Sequence, residues 1–101
     1  MQTILIIEDE RDLAELLSFN LEREGFKTII ATDGGEGLAN VAHCQPDLVI
    51  LDLMLPGMLG TDVCKNLKRS ERTSHIPVIM LTAKGEEIDK VVGFEVGADD
   101  Y

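Results

Sequence analysis

Three carboxylates and one hydroxyl follow apolar runs of the sequence, at points where buried strands would end. Glu8 and Asp9 follow the run at residues 4–7, Asp52 follows the run at residues 48–51, and Thr82 follows the run at residues 76–81. Uninterrupted apolar runs are typical of strands buried on both faces of a parallel sheet. Because open α/β sheets build their sites at the carboxyl ends of their strands, we expect these side chains to lie within several ångströms of one another.

Carboxylates gathered at such an edge favour a hard divalent cation. Their repulsion and partial burial raise their proton affinity unless a cation binds, and Mg²⁺ takes oxygen ligands, commonly one or two carboxylates plus a substrate phosphate. Such a site would orient a phosphoryl group for in-line attack by Asp52, with the Thr82 hydroxyl donating to a phosphoryl oxygen. Taken singly, each feature has an ordinary structural explanation, as a helix cap or a turn residue. Their joint occurrence is what favours a site.

The elements that must position these groups alternate regularly along the chain. Strands are expected at residues 4–7, 27–30, 48–51 and 76–81, each followed by a helix. Asp9 or Glu10 is placed to begin the first helix and Gly25 to end it. The second helix follows a turn at residues 33–35, the third follows a loop at 55–60, and the fourth spans about residues 86–96. This alternation predicts one α/β domain with a parallel sheet and helices on both faces.

Each predicted helix carries apolar residues at helical spacing, which indicates the face that packs against the sheet. The residues expected to face inward are Leu13, Leu16, Leu17 and Leu21 in the first helix, Leu38, Val41 and Ala42 in the second, Val63, Cys64 and Leu67 in the third, and Ile88, Val91 and Val92 in the fourth.

Composition excludes several classes of function. The chain has 101 residues and a net charge of −10, which argues against direct nucleic-acid contact by this segment, since phosphate contacts need clustered lysine and arginine. No apolar run approaches the about 18 residues of a membrane helix, and the start lacks a secretory signal, so we expect a cytoplasmic protein without membrane contact. Cys44 and Cys64 are expected to be reduced, and His43 and His75 to be surface residues.

Four segments of the chain, in order, resemble the successive signatures of response-regulator receiver domains of two-component systems. They are Ile7-Glu8-Asp9-Glu10, Asp52-Leu53-Met54-Leu55-Pro56-Gly57-Met58, Leu81-Thr82-Ala83-Lys84 and Gly97-Ala98-Asp99-Asp100-Tyr101. The resemblance covers the whole chain and is greatest to receivers that precede a winged-helix DNA-binding domain. It implies a flavodoxin-like (CheY-like) sheet of order 2-1-3-4-5.

The resemblance also implies a metal site and a phosphoacceptor. Asp52 would accept the phosphoryl group and, with Asp9, bind Mg²⁺ directly. Glu8 would act in the metal site largely through water, and the backbone carbonyl of Met54 would be a further ligand.

A conformational switch is implied in the same way. Thr82 would be the switch hydroxyl, the N–H of Ala83 would donate to the phosphoryl group, and Tyr101 would be the aromatic residue that turns inward when Thr82 moves. The lysine-proline pair of the family falls beyond Tyr101, so residues 1–101 are expected to be a receiver domain without its fifth strand, its last helix and that lysine. Impaired phosphorylation of this segment alone is one hypothesis.

The partner implied is a sensor histidine kinase that donates the phosphoryl group and thereby switches an output such as transcription. The protein would not be an enzyme beyond its own phosphorylation and dephosphorylation. Homodimerisation is expected through the fourth-helix face or by completion of the open sheet edge. Two alternatives stay open: a pseudo-receiver or interaction module that works without phosphate, and a phosphatase with an aspartyl nucleophile. Met54 counts against the phosphatase, because such enzymes usually carry a second acid at that position.

Overall fold

A four-stranded parallel sheet forms the centre of the molecule. The computed structural model describes residues 1–81. The strands are β1 (Thr3–Ile7), β2 (Lys27–Ala31), β3 (Leu48–Asp52) and β4 (Val78–Leu81), and they lie in the order β2-β1-β3-β4. This order confirms the sheet expected for these four strands. The fourth helix expected at residues 86–96 lies outside the described residues.

Helices cover both faces of the sheet, as the alternation of strands and helices predicted. They are α1 (Arg11–Arg23), α2 (Gly34–Cys44) and α3 (Gly60–Arg69). One core lies on the α1 side and contains Ile4 and Ile6 of β1, while the other lies on the α2 and α3 side and contains Leu5 and Ile7. Since successive side chains of a strand point to opposite faces, β1 must be apolar at every position to serve both cores.

The ends of α1 agree with the sequence. Glu10 is its N-cap residue, and the helix ends at Arg23, just before Gly25. Gly25 has a φ of +94°, a backbone conformation that side chains with a Cβ disfavour. The chain can therefore turn there into β2, with the Phe26 N–H donating to the carbonyl of Leu21 at 3.1 Å.

The start of α2 differs from the expected turn at residues 33–35, because Gly34 and Gly35 already belong to the helix. Asp33 is its N-cap residue, and its Oδ1 accepts the N–H of Glu36 at 2.7 Å. This cap satisfies a donor that the first turn would leave free, so the helix begins at once despite its two glycines.

Three further local predictions were wrong. Ala42 and Leu16 are exposed, Leu16 to 57%, because these positions lie on the outer flank of their helices and the sheet covers only part of the apolar stripe. β4 begins at Val78 rather than Ile76. Pro77 precedes the strand and contributes only its carbonyl, which accepts the Val49 N–H at 3.0 Å.

The structure places the cysteines and histidines as follows. Within residues 1–81 neither Cys44, which is exposed, nor Cys64, which is buried, forms a disulfide, and His43 and His75 are exposed, as expected. Within residues 1–81, none of the helices has the length and apolarity needed to cross a bilayer.

Candidate functional site

The register of the sheet brings two acidic segments to one edge. β1 and β3 are parallel neighbours in which Ile7 lies beside Leu51, so the next residues, Glu8 and Asp52, are neighbours at the carboxyl ends of the strands. The backbone of Glu8 is held on its other side, where its N–H donates to the carbonyl of Ala31 at 2.9 Å. Strand pairing therefore fixes the backbone positions of Glu8 and Asp52.

Glu8, Asp9 and Asp52 form a compact acidic cluster. One carboxylate oxygen from each residue lies within 4.8 Å of the other two. Glu8 is buried at 3% exposure, Asp52 is half-buried and Asp9 is exposed. The sequence predicted this convergence, and the structure brings together all three carboxylates that were singled out.

Burial of Glu8 makes the cluster electrostatically unfavourable without a cation. Burial, followed by the hydrogen bond and the negative charge of Asp52 and a hydrogen bond with Asp9, raises the pKa of the Glu8 carboxyl from 4.5 to about 7. The Glu10 N–H, which donates to Glu8 Oε2 at 3.3 Å, opposes this rise. At neutral pH the cluster therefore holds a proton for part of the time, and a bound cation would replace it.

The loop after Asp52 folds back on the strand. The N–H of Met54 donates to Asp52 Oδ1 at 3.3 Å, which orients the carboxylate. The N–H of Gly60, the first residue of α3, donates to the Leu53 carbonyl at 2.7 Å and closes the loop. One of these hydrogen bonds orients the Asp52 carboxylate, and the other fixes the loop that follows it.

A cavity of about 550 Å³ opens beside the cluster. Besides the acids it is lined by Leu13, Leu17 and Leu81, whose role the sequence analysis did not foresee. A signal was present for two of them, since Leu13 and Leu17 are four residues apart and share a helix face close to the start of α1. The lining of the cavity thus combines acidic side chains with apolar leucine side chains.

The remaining site residues of the sequence analysis are only partly within the described chain. Met54 lines the cavity, and its side chain is 61% exposed. Thr82, Ala83 and Tyr101 lie outside the described residues. The metal-binding, phosphoacceptor and switch roles of all these residues stay predictions.

The donor set fits a hard divalent cation. All three side chains of the cluster offer oxygen, and the Met54 carbonyl lies in the same loop, whereas soft metals select thiolate or imidazole. A cation bound at the cluster would compete with the proton that burial, and then Asp52, help the Glu8 carboxyl to retain by raising its pKa. The arrangement can bind Mg²⁺ or Mn²⁺ and present an aspartate to a phosphoryl group.

Comparison with known proteins supports this interpretation. The response regulator receiver domain profile matches residues 4–101. The sensory transduction protein RegX3 of Mycobacterium tuberculosis is 55% identical over 101 residues, which are all of this chain and 43% of RegX3. The DNA-binding response regulator MtrA of Mycolicibacterium smegmatis is 50% identical over 100 residues, which are 99% of this chain and 42% of MtrA. The chain thus spans about two fifths of the length of these relatives.

Solved structures share the fold. A structure attributed to a response regulator of Chloroflexus aurantiacus matches with a TM-score of 0.96 and 38% identity, covering 99% of this chain and 82% of that one. The Mn²⁺-bound form of the response regulator Rcp1 matches with a TM-score of 0.88 and 27% identity, covering 100% of this chain and 79% of that one. With its acidic cluster at the carboxyl edge of a 2-1-3-4 parallel sheet, the chain belongs to the response regulator receiver domain family of two-component systems.

Proposed function

We propose that this receiver domain accepts a phosphoryl group on Asp52 from the phosphohistidine of a sensor histidine kinase. The observation that carries the proposal is the cluster of Glu8, Asp9 and Asp52 within 4.8 Å at the edge of the sheet. Asp52 is the member whose carboxylate is both half-buried and oriented by a backbone N–H, that of Met54. A nucleophile held in this way is prepared for in-line attack.

The transfer exchanges one bond to phosphorus for another. A carboxylate oxygen of Asp52 bonds to phosphorus, the bond from phosphorus to the imidazole nitrogen breaks, and that nitrogen keeps the electron pair. The Met54 N–H donates to Asp52 Oδ1 and so helps to orient the carboxylate for the attack. In the proposal Asp9 and Asp52 would hold Mg²⁺ directly together with the Met54 carbonyl, and Glu8 would act in the metal site largely through water. When bound, Mg²⁺ supplies charge neutralisation for the phosphoryl oxygens.

The switch residues complete the proposal beyond the described chain. Thr82 would hydrogen-bond the phosphoryl group, the Ala83 N–H would donate to it, and Tyr101 would follow Thr82 inward. Phosphorylation would add negative charge and acceptor oxygens at Asp52, and the resulting movement of Thr82 and Tyr101 would change a surface of the domain. In a longer protein the output would be transcription regulation, as the DNA-binding response regulator MtrA suggests by its similarity. A homodimer through the fourth-helix face or the open sheet edge, in the cytoplasm, belongs to the same proposal.

Intact-mass spectrometry tests the proposal directly. The chain is incubated with acetyl phosphate and Mg²⁺, alongside Asp52→Ala and, as a matched control, Asp62→Asn, which changes an exposed acid in the first turn of α3. We expect a single phosphoryl adduct in the wild type and the control, and none in Asp52→Ala. Steady release of phosphate without an adduct would indicate the phosphatase alternative. No adduct and no phosphate release, also in a longer protein that includes the expected lysine-proline pair, would indicate the phosphate-independent module.

A further inference from the structure

Gly60 makes the closest backbone approach to Asp52 that a glycine makes in the described part of the chain. It is buried at the start of α3 and faces the backbone of residues 52 and 53. A Cβ at this position would overlap the Asp52 carbonyl oxygen, and it would lie 2.8 Å from Leu53 Cα and 3.0 Å from the Asp52 carbonyl carbon. Carbon atoms in favourable contact lie about 3.5–4.0 Å apart, so the neighbouring backbone would have to move by about 1 Å.

The same residue also ties the loop to the strand through a hydrogen bond. Its N–H donates to the Leu53 carbonyl at 2.7 Å, which joins the first residue after β3 to the first residue of α3. Gly60 therefore affects two consecutive peptide units. Its lack of a Cβ leaves room for the backbone of Asp52, and its N–H donates to the carbonyl of Leu53. Both fix the backbone from which the Asp52 side chain projects.

We infer that Gly60 is a positioning residue for Asp52, an inference that rests on the proposed phosphoryl transfer. In-line transfer depends on the placement of the attacking oxygen, and a misplacement of about 1 Å can slow such a step by about 100-fold. The Asp52 backbone can hold the carboxylate between Glu8 and the Met54 N–H only if α3 begins with a residue that has no side chain. The helix itself does not require glycine at its first position, because alanine is a better helix former than glycine.

Two other glycines provide matched controls. Gly35 belongs to the first turn of α2, and a Cβ there would meet only Asp33 Oδ1 at 3.5 Å, which is ordinary contact. Gly37 is buried in the same helix, and a Cβ there would lie 2.5, 2.9 and 3.1 Å from Cδ1, Cγ1 and Cγ2 of Ile7, so it would crowd a core side chain but not the backbone of Asp52. Gly37→Ala therefore disturbs side-chain packing at Ile7, whereas Gly60→Ala acts directly on the backbone of Asp52.

The test compares the three alanine variants with the wild type. The rate constant of phosphorylation by acetyl phosphate is measured over a range of donor and Mg²⁺ concentrations and divided by the folded fraction, which circular dichroism gives. We expect Gly60→Ala to lower the rate constant at saturating donor by about 10- to 100-fold. Gly35→Ala and Gly37→Ala are expected to stay within about twofold of the wild type. A purely structural role of Gly60 would lower the folded fraction without changing the corrected rate constant, and that result would overturn the inference.

A second measurement on the wild type keeps the inference testable if Gly60→Ala does not fold. In ¹H–¹⁵N spectra, a Mg²⁺ titration is expected to shift the Gly60 amide together with those of Glu8 and Asp9, and to leave the Gly35 amide in place. A Gly60 amide that stays fixed while the acids respond would overturn the inference and leave the proposed function standing. An acidic cluster that does not respond to Mg²⁺, in a wild type that is not phosphorylated, would refute the proposed function itself.

Discussion

Replacement of Glu8 by glutamine should convert a pH-sensitive domain into one whose stability varies less with pH. Glu8 is 3% exposed, and its burial, together with Asp52 and Asp9, raises the pKa of its carboxyl from 4.5 to about 7. A glutamine side chain would imitate the protonated acid, since its amide can donate a hydrogen bond toward Asp52 and its oxygen can still accept the Glu10 N–H. The substitution therefore removes the titration while it keeps the shape of the side chain.

The expected change in the free energy of unfolding follows from the pKa values of Glu8 in the folded and unfolded states. The folded state binds the Glu8 proton more tightly than the unfolded state does, so this proton stabilises the fold fully below the unfolded pKa of 4.5. The stabilisation is lost as pH rises through the folded pKa of about 7. One pKa unit corresponds to about 1.4 kcal/mol, so the rise in the Glu8 pKa from 4.5 in the unfolded state to about 7 in the folded state corresponds to about 3 kcal/mol of folding free energy. Without a divalent cation, Glu8→Gln should thus gain about 3 kcal/mol relative to the wild type between about pH 4.5 and about pH 8.

Urea unfolding followed by circular dichroism, in the presence of a chelator, measures this difference. The wild type, Glu8→Gln and Glu15→Gln are compared across the pH range, and Glu15→Gln serves as the control because Glu15 is an exposed acid on α1. We expect the stability of the wild type and of the control to fall with rising pH, while that of Glu8→Gln falls less. Parallel curves for the wild type and Glu8→Gln would refute the argument that burial makes Glu8 retain its proton.

Three further outcomes are expected. Mg²⁺ should raise the free energy of unfolding of the wild type more at about pH 8 than at about pH 5, because the carboxylate ligands must lose protons before they bind; equal effects in thermal melts at both pH values would contradict the metal site. Asp33→Ala should destabilise the domain by about 1 kcal/mol in urea unfolding, since the cap on the Glu36 N–H is lost, and an unchanged midpoint would contradict this. Thr73→Val should also cost about 1 kcal/mol, because Thr73 is buried and its hydroxyl donates to the Leu67 carbonyl at 2.6 Å; a neutral result would show that water replaces the hydroxyl there.

The sheet could be predicted because its strands have no polar face. Both faces of β1 and β3 are covered, so their sequences are apolar without interruption, and such runs are easily recognised. The strand ends then placed Glu8 and Asp52 together, since parallel neighbours end at one edge. The convergence of the acids therefore follows from the pattern of the sequence alone.

What the sequence could not predict depends on contacts between distant segments. An acidic pair after a strand does not reveal that Glu8 is buried while Asp9 is exposed, because the cover over Glu8 comes from other elements. The requirement for glycine at position 60 arises only when α3 is seated against the end of β3. The exposure of Leu16 likewise depends on how much of α1 the sheet covers, which periodicity does not specify.

The central claim is that Asp52 itself carries the phosphoryl group. An acyl phosphate can be reduced by borohydride to the corresponding alcohol, which marks the modified aspartate for peptide mapping by mass spectrometry. After incubation with acetyl phosphate and Mg²⁺, we expect residue 52 alone to be converted to homoserine. Conversion at Asp9 or at another acid in place of Asp52, or an unmodified Asp52 in a protein that has gained a phosphoryl group, would contradict it.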